Sequence, residues 1–437
     1  MAPAMPMPVR SLPVVQNWDC GSCSACCRSY HVPVTAEERR RIEGQGWEND
    51  PDLNGTPYFA PEGGWLAGRS FRLNHRENGA CVFLGSDNRC KIHAKFGSAA
   101  KPLACRVYPF LLVPAGDHWR LGLRFACPAA SAGEGRPLAD HLAEARVYAA
   151  ALESDSPSAV NAPPVSLQGR QHVPWGDVLR IVSAVSRILA DEEDFLERRW
   201  RRVLALIAIG RKLKLDGRGD PKKMVTGGRL SELLHVLSET VDEDEPESAE
   251  MIARPGWAGR IVFRQVLAVY ARKDHGAEKG SAQRGPAGRI LAAMAFARGS
   301  GRVPRVHSRI GDATFAQAEV PSGPLSDAAD ALLTRYYRMK VESLQFCGPT
   351  NFDLPLWDGL ESLAITLPAI LWLSRVLDEP NRDAAIERAL RLVDDNFGFN
   401  KLLGLGRQRF ALKLLSGRGE LSKLIAWYAR SPSASET

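Results

Sequence analysis

The chain has 437 residues, 45% of them hydrophobic, with 57 Lys and Arg against 50 Asp and Glu and a net charge of +7. That apolar share supplies buried cores for two or three domains, which excludes a short scaffold held together only by disulfides. The small basic excess does not by itself mark a polyanion binder. The first ten residues lack a charged segment followed by a long apolar one, so no signal peptide is expected.

In chain order, the first feature is Cys20-Gly-Ser-Cys23-Ser-Ala-Cys26-Cys27, written C-x2-C-x2-C-C. Thr35-Ala36-Glu37-Glu38 is a capping box and predicts a short helix just after it. Phe71 to Leu84 reads as a hairpin turning at Glu77-Asn78-Gly79, and Gly85-Ser86-Asp87-Asn88 as a second turn that delivers Cys90. From Cys90 to Ala104 the pattern is helical in pieces, broken by Gly97 and Pro102; Phe110 to Phe125 suggests a hairpin around Pro114-Ala115-Gly116-Asp117. These elements make a cysteine-rich metal-binding domain over residues 15–153.

Residues 154–174 are rich in Ser and Pro and read as a linker. Beyond it, residues 175–430 form a mostly α-helical domain of eight to ten helices: Val178, Ile181, Val182, Val185 and Ile188 recur at helical spacing, as do Ile386, Leu390 and Val393, and Leu421, Leu424, Ile425 and Tyr428. The fold class is α+β. Arg198 to Lys223 is the most basic stretch and reads as a solvated helical face followed by a basic loop, with Val203 to Ile209 as core; the competing reading is a polyanion site. The acidic segment Asp242 to Glu250 and the segment Gly276 to Pro286 are expected to be exposed connections. Leu363 to Ser374 contains Pro368 and falls short of the roughly 18 residues a bilayer span needs, so it reads as a buried helix.

Eight of the nine cysteines lie between Cys20 and Cys127: Cys20, Cys23, Cys26, Cys27, Cys81, Cys90, Cys105 and Cys127. Thiolates three residues apart can wrap one metal, and short elements let distant ones converge, so all eight are candidate ligands, enough for two four-cysteine centres. The opening spacing and Cys127-Pro128 favour an iron–sulfur cluster, of the 4Fe–4S type; zinc is the competitor. Vicinal Cys26 and Cys27 would point apart in an extended segment, leaving one for a second centre or as a reactive thiol. His31 and His93 are candidate replacement ligands, although an ordinary surface or hydrogen-bonding role suits both better. Arg28 and Arg106 each adjoin a cysteine, where a guanidinium could offset thiolate charge, bind an anionic substrate, or simply pair with a carboxylate. Tyr108 reads as a packing residue with its hydroxyl tied to backbone. Cys347 stands alone and reads as a small buried hydrophobe. Clustered cysteines and a long cysteine-free stretch favour reduced thiols in the cytoplasm.

The contexts Cys81-Val82-Phe83-Leu84, Cys90-Lys91-Ile92-His93, Pro102-Leu103-Ala104-Cys105-Arg106-Val107-Tyr108-Pro109-Phe110 and Cys127-Pro128, joined to the opening run, resemble the YkgJ-like CxxCxxCC family. The resemblance covers about Trp18 to Pro128 and implies zinc or iron chelation. It further implies a distant relation to flagellin lysine N-methylases, and with it methyl transfer from S-adenosylmethionine to a protein lysine. Against that alternative, the methylases' opening cysteine run is wider and no S-adenosylmethionine motif is recognised here. No phosphate loop, dinucleotide fingerprint, nucleophile elbow or H-E-x-x-H motif is present, and the spacing is not the radical C-x3-C-x2-C, so no catalytic residue is assigned. The expectation is a metal-binding protein, with an iron or zinc carrier as a further alternative. Its helical half would serve a protein partner, nucleic acid is disfavoured, and no membrane span is expected.

Overall fold

A computed structural model describes residues 6–53, 55–62, 70–155, 162–215, 224–283 and 285–432. Its elements begin with β1 (Val9–Arg10), β2 (Asn17–Trp18), α1 (Ala25–Ser29), β3 (Pro33–Val34), α2 (Ala36–Glu43), β4 (Phe59–Glu62) and β5 (Ser70–Leu73). Then come α3 (Lys91–Phe96), α4 (Leu103–Val107), β6 (Phe110–Pro114), β7 (Trp119–Leu123), α5 (Pro128–Ala132), β8 (Arg136–Pro137) and α6 (Leu142–Asp155). The rest is helical: α7 (Trp175–Leu189), α8 (Leu196–Gly210), α9 (Gly227–Asp244), α10 (Trp257–Tyr270), α11 (Gly285–Arg298) and α12 (Phe315–Ala318). It closes with α13 (Asp327–Glu342), α14 (Leu356–Ala364), α15 (Thr366–Ser374), α16 (Arg382–Asn396), α17 (Gly406–Gly417) and α18 (Glu420–Ala429). The fold is α+β, as the two textures of the sequence predict.

Three small sheets organise the cysteine region. Strand β5 lies between β3 and β4, β6 and β7 form a hairpin joined by β1, and β2 pairs with β8. The expected turns are present. Gly79 donates its N–H to Arg76 at 2.9 Å, although the strands around this turn pair only through His75 and Cys81; β5 takes its longer partner from β4. The second turn closes through Gly85 N–H to Arg89 carbonyl at 2.8 Å, with Asn88 at φ +61, a conformation Asn tolerates.

Twelve α-helices follow residue 174 among the described residues, where the periodicity suggests eight to ten. The difference comes from single-turn α12 and from the apolar stretch 356–374, which bends at Ile365 into α14 and α15 and is almost wholly buried. That stretch is long and apolar enough to cross a membrane by composition, but here it is the centre of the helical core. The predicted apolar positions of α7, α16 and α18 are all buried.

One large core runs from Phe110, Leu121 and Phe125 into Val178, Trp200, Tyr336 and Leu390. A smaller one, built on Ile42, Trp47, Leu73, Val82, Phe83 and Ile92, backs the cysteines. Buried polar contacts join the β6–β7 hairpin to the helices: Arg120 pairs with Glu342 at 2.9 Å, and the Ala126 N–H donates to Asp394 at 2.9 Å. Gly122 lies directly beneath the side chains of Ser343 and Gln345, where a Cβ would collide.

The arginines at the start of the basic stretch do not form a solvated face. Arg198, Arg199, Arg201 and Arg202 are buried and paired, Arg199 with Asp330 at 3.0 Å and Arg201 with Glu197 at 2.7 Å. Asp242, in the segment expected as an exposed loop, lies inside α9 and pairs with Arg198 at 2.8 Å. A charged helix face can be buried when each guanidinium meets a carboxylate from a neighbouring element, and sequence periodicity does not reveal that partner. Ser156 to Asn161 of the linker, and Asp216 to Lys223 of the basic stretch, lie outside the described residues.

Candidate metal centre

The cysteine run does not stay extended. Ser22 and Ser24 adopt positive φ, and the chain then enters α1, which contains both Cys26 and Cys27. Their sulfurs stand 4.0 Å apart. The expectation that these vicinal side chains diverge is therefore corrected, because it assumed a strand and the backbone is helical.

Four segments carry five of the eight thiols to one cavity of about 840 Å³: Cys26 and Cys27 from α1, Cys81 from the returning strand of the hairpin that turns at Gly79, Cys90 before α3, and Cys105 in α4. Backbone hydrogen bonds set their positions. The Cys81 N–H donates to the Cys27 carbonyl at 2.8 Å, and Cys90 is bridged to Leu84 across the second turn. The capping box forms as expected, and its Glu38 does more than close α2: one carboxylate oxygen accepts from Thr35 N–H at 2.9 Å, the other from Leu103 N–H at 2.6 Å, at the start of the helix that bears Cys105.

The remaining three cysteines lie apart. Cys20 and Cys23 are exposed in the loop before α1. Cys127 is buried at the start of α5 and does not line the cavity. Cys347 is buried in the large core, as expected for a small hydrophobe. All nine are free thiols.

Burial governs the electrostatics. It pushes the Cys81 thiol up to about 12, with Cys90 and Cys26 adding to the shift, and it raises Cys105 and Cys127. Cys26 is raised most by its contact with Cys27 and next by burial. An uncompensated thiolate is costly in such a place, whereas a bound cation stabilises it. The donor chemistry therefore fits zinc or an iron–sulfur cluster, both of which favour sulfur. Among the described residues, no group of three or more His, Cys, Asp or Glu side chains is already placed to hold an ion.

The opposite wall comes from the helical half, through Lys273, His275, Asp395, Phe399 and Lys401. Residues 271–280, which include part of a segment expected to be an exposed connection, form a strap across α1: Ala277 N–H donates to Arg28 carbonyl at 2.9 Å. Gly276 has φ +81, and a Cβ there would sit 2.5 Å from that same carbonyl oxygen, so glycine suits this crossing.

The histidine expectations divide. His93 is exposed on α3. His31 lines the cavity and has tilted ring contacts with two histidines the sequence did not single out, His75 at 5.0 Å and His275 at 4.6 Å between ring centroids. Burial first, then Arg72 and the neighbouring rings, hold His31 at about 4. Tyr108 packs as expected, but its hydroxyl donates to the Tyr30 hydroxyl at 3.4 Å and not to backbone. Arg124 lies over Tyr30 and Phe399 and pairs with Asp395 at 3.3 Å, tying the cysteine region to α16. Nothing in the sequence near Arg124 signals a partner so far downstream.

Residues 19–127 match the CxxCxxCC family model, described as a "putative zinc- or iron-chelating domain". The match supports metal binding by this segment and ends at the last clustered cysteine, before the helical half. No curated protein and no solved structure matches the chain. The relation to lysine N-methylases that the resemblance implied thus finds no support in the comparisons.

Proposed function

We propose that the CxxCxxCC segment binds an iron–sulfur cluster through thiolates drawn from Cys26, Cys27, Cys81, Cys90 and Cys105, with the helical half forming the far wall of the centre. The carrying observation is that five thiols from four segments line one cavity. The cavity, about 840 Å³, has room for an ion or a cluster, and the choice of a cluster rests on the C-x2-C-x2-C spacing of the opening run. Cys20, Cys23 and Cys127 do not line this cavity. The nine free thiols suit the reducing cytoplasm.

Metal and acid-labile sulfide analysis of protein purified without oxygen, with a visible spectrum, tests the reading. Iron with matching sulfide supports the cluster. Stoichiometric zinc without sulfide replaces it with a zinc centre, metal that exchanges freely with a chelator assigns a carrier, and protein without bound metal overturns the proposal.

A further inference from the structure

Adjoining the thiol cavity is a second one, of about 610 Å³, and the two share Cys26, Tyr30, Tyr108, Arg272, Lys273 and Asp395 among their walls. Its lining is strongly basic: Arg28, Arg272, Lys273, Arg309, Arg388 and Arg391 face it, against the carboxylates of Glu278 and Asp395.

Four of these cations are already paired. Arg272 meets Asp274 at 2.6 Å, and Lys273 meets Asp395. Arg309 and Arg388 share Glu278 at 3.3 and 3.4 Å, and Arg388 also reaches Glu379 at 3.1 Å. Arg28 and Arg391 have no carboxylate within ion-pair distance among the described residues. Arg28 donates only to Ser24 Oγ and Asn88 Oδ1, both at 3.2 Å. The Arg391 Nε is buried without a hydrogen-bond partner.

A half-buried guanidinium on a cavity wall with no carboxylate beside it keeps its charge available to the oxygens of an anionic ligand. Its planar fork matches the paired oxygens of phosphate and carboxylate alike, and clustered cations in a concave site focus potential on such a group. We infer that this cavity binds a small molecule carrying an anionic oxygen group, phosphate or carboxylate, held by Arg28 and Arg391 at the edge of the thiol cavity. The inference does not depend on which metal the cysteines hold, or on whether they hold one.

Isothermal titration of the full chain, as purified, with inorganic phosphate and separately with succinate, at ionic strength held constant with chloride, tests it. Saturable binding of either probe is expected, weakened about tenfold or more in Arg391→Gln and in Arg28→Gln, with metal content unchanged. Phosphate-only or succinate-only binding identifies the acid group. If Arg391→Gln does not fold, Arg28→Gln on the α1 wall decides. Absence of saturable binding of both probes up to about 10 mM overturns the inference, as does binding that survives the substitutions.

Discussion

The Leu103 N–H donates to Glu38 Oε1 at 2.6 Å, so one buried carboxylate caps both α2 and the helix that carries Cys105. The link ties the first predicted helix of the chain to a thiol of the centre more than sixty residues later. Glu38→Ala removes both caps at once. We expect a loss of about 2 kcal/mol, from roughly 1 kcal/mol per cap, in urea denaturation, whereas Glu37→Ala at the exposed neighbour changes stability little. Equal behaviour of the two variants would show that the shared cap contributes nothing.

Cys81→Ser and Cys105→Ser are expected to lose most of the bound metal, because each removes a thiol that faces the common cavity. Cys347→Ser should retain full metal content, since that thiol sits in the apolar core. Cys23→Ser should spare the cavity centre. Metal analysis of the four variants checks the division, and loss in Cys347→Ser would contradict it.

The metal-free protein should lose stability as pH rises from about 9 toward 12, which denaturation midpoints at a series of pH values would show. Burial raises the Cys81 thiol above its unfolded value, so the folded state retains a proton that the unfolded chain has released. The stabilisation is complete below the unfolded value and declines as pH climbs through the folded one. Metal-bound thiolates carry no such proton, so the loaded protein should show a flatter profile, and its metal affinity should weaken as pH falls.

Arg201→Ala should destabilise the helical half by about 3 kcal/mol or more, because it strands Glu197 and Glu245 without their buried partner. Retention on a heparin column should not change beyond the effect of unfolding. A stable variant with reduced heparin binding would support the polyanion reading of the basic stretch.

Local chemistry determined much of this protein. The capping box, the two turns around Cys81 and Cys90, the broken helical segment before Cys105 and the β6–β7 hairpin all follow from residues within a few positions of one another, and each forms as its sequence predicts. The cysteine spacing likewise marks the segment that the family model matches. Tertiary structure decided the rest. Only the helical turn of α1 brings the Cys26 and Cys27 sulfurs together, only packing gathers Cys81, Cys90 and Cys105 at one cavity while leaving Cys127 out of its lining, and only chain crossing places Lys273 and Asp395 on that cavity's wall. The fates of the arginines show the physical reason. Arg199 and Arg391 are both basic residues on helices of the same half, yet one is cancelled by Asp330 and the other faces a cavity without a carboxylate partner among the described residues. Charge is written in the sequence, but its compensation depends on which distant side chain arrives within a few ångströms.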